Sequence, residues 1–399
     1  MVNRITNAFT VAYGYPVVFT HDVFDPGNPV LSDLCREVGY GRGATPCLVL
    51  VDAGLSAAVP GLTDRIAAYG AAHADVVDLR RAPVCITGGE AAKEGWAVPN
   101  QTLHLATEAG LCRHSIILAV GGGAMLDAVG LGAALFHRGA RLLRLPTTVL
   151  AQNDSGVGVK NGINLGGIKN LAGTFAPPAA VVNDLLALRT LSDRDWIAGC
   201  AEAFKVAAIA DAGFLAWLDD HAEALRQRDQ AAMETLVQRC AALHAAHIGG
   251  GGDAFEAGSA RPLDFGHWAG HRLESMTGFG LRHGEAVAIG MALDLVYAWR
   301  HGLIGADDGR RVIAALRRCG LPIWHDQLER RAADGQPAVL AGLDDFQQHL
   351  GGVLHVTFPS PLGQRRELTA IDRRAMSAAI AELRDLQAAG STEGRAPCK

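Results

Sequence analysis

The sequence predicts an α/β domain with a parallel sheet over residues 1–190, followed by an all-α domain over residues 191–399, with a cleft between them. Three observations predict this. Short apolar runs alternate with amphipathic stretches up to about residue 190. One run passes directly into Gly121-Gly122-Gly123 and a helical pattern, giving a strand–turn–helix–strand unit. Beyond residue 190 only helical periodicity remains.

Taken in order, Cys47–Asp52 reads as a buried strand ending in an acid, and Leu62–Ala72 and Asn100–Gly110 read as helices. Ser115–Val120 is a second buried strand, followed by the glycine triplet, a helix over Ala124–Phe136 and a strand over Arg141–Leu145. Near-continuous apolar strands joined by helices imply a parallel sheet covered on both faces. Helical periodicity then covers Asp195–Ala212, Phe214–His247, Gly284–Arg300 and Arg310–Arg318. Residues 284–300 are apolar nearly all round, which predicts a central buried helix. No internal repeat is present, and the tail Ala389–Gly394 reads as loose.

Composition narrows the function. Hydrophobic residues make up 49% of the chain and charged ones 19%, which excludes a disordered scaffold. Lys+Arg number 36 against 41 Asp+Glu, so the basic footprint of a nucleic-acid binder is missing. No apolar run reaches the roughly 18–20 residues of a membrane span, and the first residues lack an apolar signal core. The expectation is a soluble cytoplasmic protein without nucleic-acid or membrane partners. Cys35, Cys47, Cys85, Cys112, Cys200, Cys240, Cys319 and Cys398 form no C-x-x-C pair and read as structural thiols.

Three clusters carry possible chemistry. Gly121, Gly122 and Gly123 sit between strand and helix, where backbone N–H groups and the helix N-terminus suit a pyrophosphate; the bland reading is a tight turn. The spacing is not G-x-G-x-x-G. Asp127, placed in the helix's first turn, suits a ribose hydroxyl or simply the helix dipole. His267 and His271 are i,i+4 on one helix face and His283 opens the next helix, with Glu202 as a carboxylate and Lys205 one turn along. Together they suit a zinc-type site; singly, each histidine is more often structural. The loop Gln152–Lys160, continuing through Gly166 to Lys169 and Asn170, is either a phosphate cradle or a solvated loop. His244 and His247 read as structural.

These motifs, in one order, resemble the sugar phosphate cyclase superfamily, whose best-known member is dehydroquinate synthase. The resemblance runs from about Asp52 to Asp372 and rests on Gly88–Lys93, Gly121–Gly123 with Asp127, and Leu145–Gln152. It continues through Asp154–Lys160, Lys169-Asn170, Ala201–Lys205, Gly266-His267 with His271, and His283–Glu285. It implies a nucleotide-binding first domain, a metal-binding second domain, and the cofactors NAD and zinc or cobalt. Glu202, His267 and His283 would be the metal ligands. Asp52, Glu90, Lys93, Gly121, Gly122, Gly123, Asp127, Thr147, Thr148, Lys169 and Thr190 would serve NAD. Asp154, Lys160, Asn170, Lys205 and His271 would face substrate, and Glu256 matches a proton acceptor. Arg138 matches an arginine lent to a neighbouring subunit's phosphate site, which implies a homodimer.

The departures speak to substrate. The lysine, arginine and asparagine that grip dehydroquinate synthase's substrate carboxylate fall, by spacing, on Ala246, Ala260 and Asp264, with Arg261 adjacent. An acid repels a carboxylate but accepts hydrogen bonds from sugar hydroxyls. Gly158–Gly162 and Arg261–Trp268 resemble the branch that makes 2-epi-5-epi-valiolone, a C7 cyclitol, from sedoheptulose 7-phosphate. Siblings make 2-epi-valiolone, desmethyl-4-deoxygadusol or 2-deoxy-scyllo-inosose. The competing readings from other classes are an NAD-dependent polyol dehydrogenase and a non-catalytic binding homologue.

Overall fold

The structure is a computed structural model that describes residues 4–39, 41, 43–250, 254–256, 263–349 and 352–393. The chain divides into two compact units, one of Met1–Pro146 with Val159–Asp184, the other of Thr147–Gly158 with Leu185–Lys399. Residues 147–158, which a single boundary at residue 190 would leave in the first unit, belong to the second.

The first unit is built on a parallel sheet. Its strands are Val17–Thr20 (β1), Thr45–Asp52 (β2), Val77–Leu79 (β3), Val84–Ile86 (β4), Ile116–Gly121 (β5) and Arg141–Pro146 (β6). Lys160–Leu165 (β7) and Ile168–Phe175 (β8) form a separate antiparallel ribbon, and Ala180–Asp184 (β9) returns to the sheet. The order is β1-β9-β6-β5-β2-β3, with β4 pairing the far half of β2, and every pairing is parallel. β5 is buried at every position and β2 at all but one, as expected of strands covered on both faces. From β2 the chain moves to β3 and from β5 to β6, in opposite directions. The adjacent carboxyl ends of β2 and β5 are therefore the switch point at which α/β sheets bind ligands.

The helix read at 100–110 spans Ala97–Glu108; its Pro99 sits in the first turn, where no helical hydrogen bond is lost. The helix after the glycines spans Gly123–Leu135, so Asp127 lies beyond the first turn. The stretch 160–170 is not a loop. Gly166 and Gly167, at φ 60° and 78°, turn the β7–β8 hairpin.

The second unit is helical, with one two-stranded ribbon that periodicity did not indicate, Val356–Pro359 (β10) against Arg365–Leu368 (β11). The helical stretch read at 214–247 is two helices, Ala212–Arg226 and Gln230–Gly250. Arg228 breaks the first at φ 65°, and the Asp229 carboxylate accepts the Ala232 amide to start the second. His283–Arg300 is buried nearly all round, as its composition requires. The last helix, Arg373–Glu393, carries residues 389–393 that the sequence reads as loose; Gly394 lies outside the described residues. The seven described cysteines are free thiols. No helix among the described residues is long and apolar enough to cross a membrane.

Candidate functional site

In the first unit Asp52 and Gly121, two of the predicted cofactor residues, meet at the carboxyl ends of β2 and β5. Asp52 ends β2 and caps the next helix, accepting the Gly54 and Leu55 amides at 2.7 and 3.2 Å. Gly121 ends β5, Gly122 is the helix N-cap, and Gly123 opens the helix. The Asp127 carboxylate takes the Lys93 ammonium at 2.7 Å. Glu90 is exposed in the 3-10 turn that ends at Lys93.

The ribbon presents Lys160 at the start of β7, and Lys169 and Asn170 on β8, Asn170 at φ 52° with its amide on Asn164 Oδ1. Arg144, wholly buried on β6, fixes the ribbon's base by donating to the Lys160 carbonyl at 3.0 Å and to Asn161 Oδ1 at 2.6 Å. Arg138 is exposed and, with His137, in the left-handed region at φ 66° and 48°. Such backbone strain in bulky residues is often kept for function.

In the second unit the helices Asp193–Ala210, His267–Met276 and His283–Arg300 converge. At Gly284 a Cβ would stand 1.8 Å from the Ala198 carbonyl, so only glycine lets the third helix start against the first, which carries Glu202. His267, His271 and His283 lie with ring centroids 5.2–5.6 Å apart, and each offers a nitrogen within 4.8 Å of the others. Glu202, 1% exposed, faces them: its Oε1 is 3.3 Å from His283 Nε2 and 3.9 Å from His267 Nε2.

The outer nitrogens are already occupied. His267 Nδ1 lies 3.2 Å from the Phe265 carbonyl and His283 Nδ1 3.3 Å from the Glu274 carboxylate. Both partners are acceptors, which places a proton on each Nδ1 and turns each Nε2 toward Glu202. Glu202 Oε2 pairs with the Lys205 ammonium, and Oε1 turns to the histidines. A buried carboxylate and imidazole nitrogens that converge on one point fit a borderline divalent cation, which would displace the proton between His283 and Glu202. Burial disfavours charge on His283, yet Glu274 and Glu202 outweigh it and raise its pKa to about 10; this corner calls for positive charge. His271 is pushed down to about 3 by burial and by the other two imidazoles, and is neutral.

Beside the cluster, Lys205 bridges Glu202 and Asp154, 2.9 Å from Asp154 Oδ2. Burial opposes the ammonium, but the two carboxylates outweigh it and hold Lys205 protonated. Burial likewise opposes charge on Asp154, and Lys205 and His244 outweigh it, holding the carboxyl well below its ordinary range. Asp154 stands in a π-helical turn, Ala151–Ser155, anchored where Asn153 donates to the Gly199 carbonyl at 2.9 Å.

The structure thus brings together Glu202, His267, His271 and His283, and joins Lys205 to Asp154. Thr147 is buried, Thr148 Oγ1 accepts the Ala151 amide, and exposed Thr190 donates to the Ala187 carbonyl. Asp264 is half-buried, and its carbonyl accepts the His267 amide at 3.1 Å. Glu256 is half-buried at φ 48°; Ala260 and Arg261 lie outside the described residues.

Three residues escaped the sequence reading. His244, read as structural, sits 3.2 Å from Asp154 Oδ1. Glu274 orients His283, and its spacing of seven from His267, two turns along one face, was the available signal. Asp294, a buried acid in the middle of an apolar helix, holds the chain around His267.

Against known proteins, residues 83–198 match the family described as 3-dehydroquinate synthase N-terminal, and residues 199–336 that described as 3-dehydroquinate synthase C-terminal. The chain is 35% identical to a 2-epi-5-epi-valiolone synthase of Streptomyces glaucescens over 366 residues, 88% of this chain and 85% of the relative. It is 39% identical to a 3-dehydroquinate synthase of Pseudomonas savastanoi pv. phaseolicola over 242 residues, 60% of this chain and 65% of the relative. Among solved structures, 2-epi-5-epi-valiolone synthase from Streptomyces hygroscopicus subsp. jinggangensis 5008, with NAD+ and Zn2+ bound, superimposes with a TM-score of 0.83 at 29% identity, over 96% of this chain and 99% of that one.

Proposed function

The chain belongs to the sugar phosphate cyclase superfamily, with a dehydroquinate synthase-like fold, and on that premise we propose that it converts sedoheptulose 7-phosphate to 2-epi-5-epi-valiolone with release of phosphate. The observation that carries this reading is the buried cluster of Glu202, His267, His271 and His283 joined through Lys205 to Asp154. Glu202, His267 and His283 would hold a divalent cation, zinc or cobalt. Asp52, Glu90, Lys93, Gly121–Gly123, Asp127, Thr147, Thr148, Lys169 and Thr190 would hold NAD. When bound, the cation supplies Lewis-acid polarisation of a carbinol and the dinucleotide a reversible hydride acceptor, so net redox change is zero and the class is lyase.

The chain's own residues orient the sugar and manage charge. Lys205, held protonated, donates to a substrate oxygen and does not act as base. Asp154, fixed as a carboxylate, accepts from a ring hydroxyl. Lys160, Asn170 and neutral His271 meet the departing phosphate, whose charge the lysine stabilises. Glu256 accepts the proton lost next to the carbonyl in the β-elimination. Asp264 supports a carboxylate-free substrate, since it replaces a donor by an acceptor and Ala246 offers no donor. After elimination and re-reduction the ring opens, and an intramolecular aldol closes the carbocycle. The reading includes a homodimer in which Arg138 serves the other copy's phosphate site; its exposure in strained backbone is in keeping with that role.

The test is phosphate release from sedoheptulose 7-phosphate by purified protein with NAD+ and Zn2+ or Co2+, with the product identified by NMR. A C7 cyclitol without net NADH is the expected result, and its configuration selects among the siblings. No release from a preparation holding metal and NAD+ overturns the substrate, and glucose 6-phosphate is then the next to try. Mixed dimers of Arg138→Ala with a different active-site variant should regain activity, and absence of rescue overturns the shared site.

A further inference from the structure

The second unit holds a cavity of about 500 Å³ lined by Arg272, Ser275, Met276, Arg330, Arg331 and a wall of alanines. Among the described residues that line it none is an acid, and three are arginines. Some arginines elsewhere in this unit are matched by carboxylates: Arg300 with Glu382, Arg318 with Asp219, Arg384 with Glu329. Two of the cavity's three arginines have no such match among the described residues. Arg330 has no carboxylate partner among the described residues, and Arg331 reaches only the Gly335 carbonyl, at 3.4 Å. Arg272 has Asp345 at 3.7 Å, and its buried Nε has no hydrogen-bond partner. Arg330 and Arg331 are exposed and the Arg272 side chain is 33% exposed, so three guanidinium groups border one solvent-open space with one nearby acid, and their summed field favours an anion there.

The wall is held in place. The Arg330 carbonyl accepts the Ala338 amide at 2.7 Å, Arg331 bridges Pro337, and a tight turn between Ala332 and Gln336 closes the loop. Arg272 and Ser275 come from the rigid helix His267–Met276. Planar guanidinium forks on fixed backbone suit a phosphate dianion. The volume falls in the range of small-molecule pockets and exceeds what a bare phosphate fills, and Met276, Ala332, Ala333 and Ala338 offer apolar surface to an organic remainder.

We propose that this cavity is an anion site distinct from the Glu202–histidine cluster, taking the phosphate group of a small organic phosphate. It shares a helix with His267 and His271, since Ser275 Oγ donates to the His271 carbonyl at 3.2 Å, so occupancy bears on the element that carries them.

Titration calorimetry of the purified full chain, with inorganic phosphate and glucose 6-phosphate as separate probes, tests this. The reference variants are Arg330→Gln/Arg331→Gln and Ala333→Asp, the second placing a negative charge on the wall without removing a guanidinium. The wild type should bind one more equivalent of glucose 6-phosphate than either variant, or bind it at that site about tenfold or more tightly, the loss expected for charge-assisted hydrogen bonds. Weaker binding of inorganic phosphate assigns the ligand as an organic phosphate, and equal binding assigns free phosphate as the source. Identical stoichiometry and affinity in all three proteins overturns the site. The count needs no turnover, so it stands or falls separately from the cyclase reaction.

Discussion

Asp294 Oδ1 accepts the indole N–H of Trp268 at 2.9 Å while its Oδ2 accepts the Gly266 amide at 3.1 Å, so one wholly buried carboxyl grips the chain on both sides of His267. Burial pushes its pKa up to about 8, against the two hydrogen bonds that favour the anion. Asp294→Asn leaves one acceptor for two donors. The orphaned donor should cost about 1–3 kcal/mol of stability, read as a lower melting temperature, and metal affinity should fall as His267 loses its brace. An unfolded aspartate titrates near 4, so the neutral form is favoured in the folded state between the two values. The stabilisation from Asp294 is full below about pH 4 and is lost as pH rises through about 8. The stability difference between wild type and Asp294→Asn should therefore shrink from pH 5 to pH 8; a constant or growing difference contradicts the assignment.

His283 is held by Glu274 on one nitrogen and faces Glu202 with the other. His283→Ala should abolish stoichiometric zinc binding measured by metal analysis. Glu274→Gln should keep the metal but weaken it about 10–100-fold, as expected when a ligand's supporting hydrogen bond changes. Full metal content in His283→Ala would remove that residue from the ligand set.

Gly130 lies mid-helix, where alanine would normally gain about 1 kcal/mol. Here a Cβ would stand 1.8 Å from Asn161 Oδ1, which cannot yield because Arg144 Nη2 donates to it and Asn161 Nδ2 holds the Ala176 carbonyl. Overpacking outweighs propensity, so Gly130→Ala should destabilise by about 1–3 kcal/mol. Urea unfolding checks the sign, and a stabilised variant contradicts the packing.

Asp264→Asn should lower kcat/KM for sedoheptulose 7-phosphate about tenfold or more if the acid accepts from sugar hydroxyls. A wild-type rate removes it from substrate recognition.

Much of this molecule was legible from local pattern. The runs at 47–52 and 115–120 announced a parallel sheet because strands covered on both faces must be apolar throughout. The i,i+4 pair His267 and His271 declared a shared face because helix geometry fixes it. The short strands β1, β3 and β4 were not legible, since three or four residues carry too little periodicity. Nor was the hairpin at 160–175, whose glycines and lysines read equally well as a loop.

By itself the sequence determined the two kinds of architecture, the superfamily, and the residue types that meet at the cluster, because these follow from periodicity and from motifs within a few turns of chain. Only the tertiary structure decided that His244 reaches Asp154 across 90 residues, that Glu274 and Asp294 brace the histidines, and that Arg272, Arg330 and Arg331 share one cavity. Such contacts depend on how helices cross, and a crossing is fixed by close approaches such as Gly284 against the Ala198 carbonyl, which no local pattern encodes.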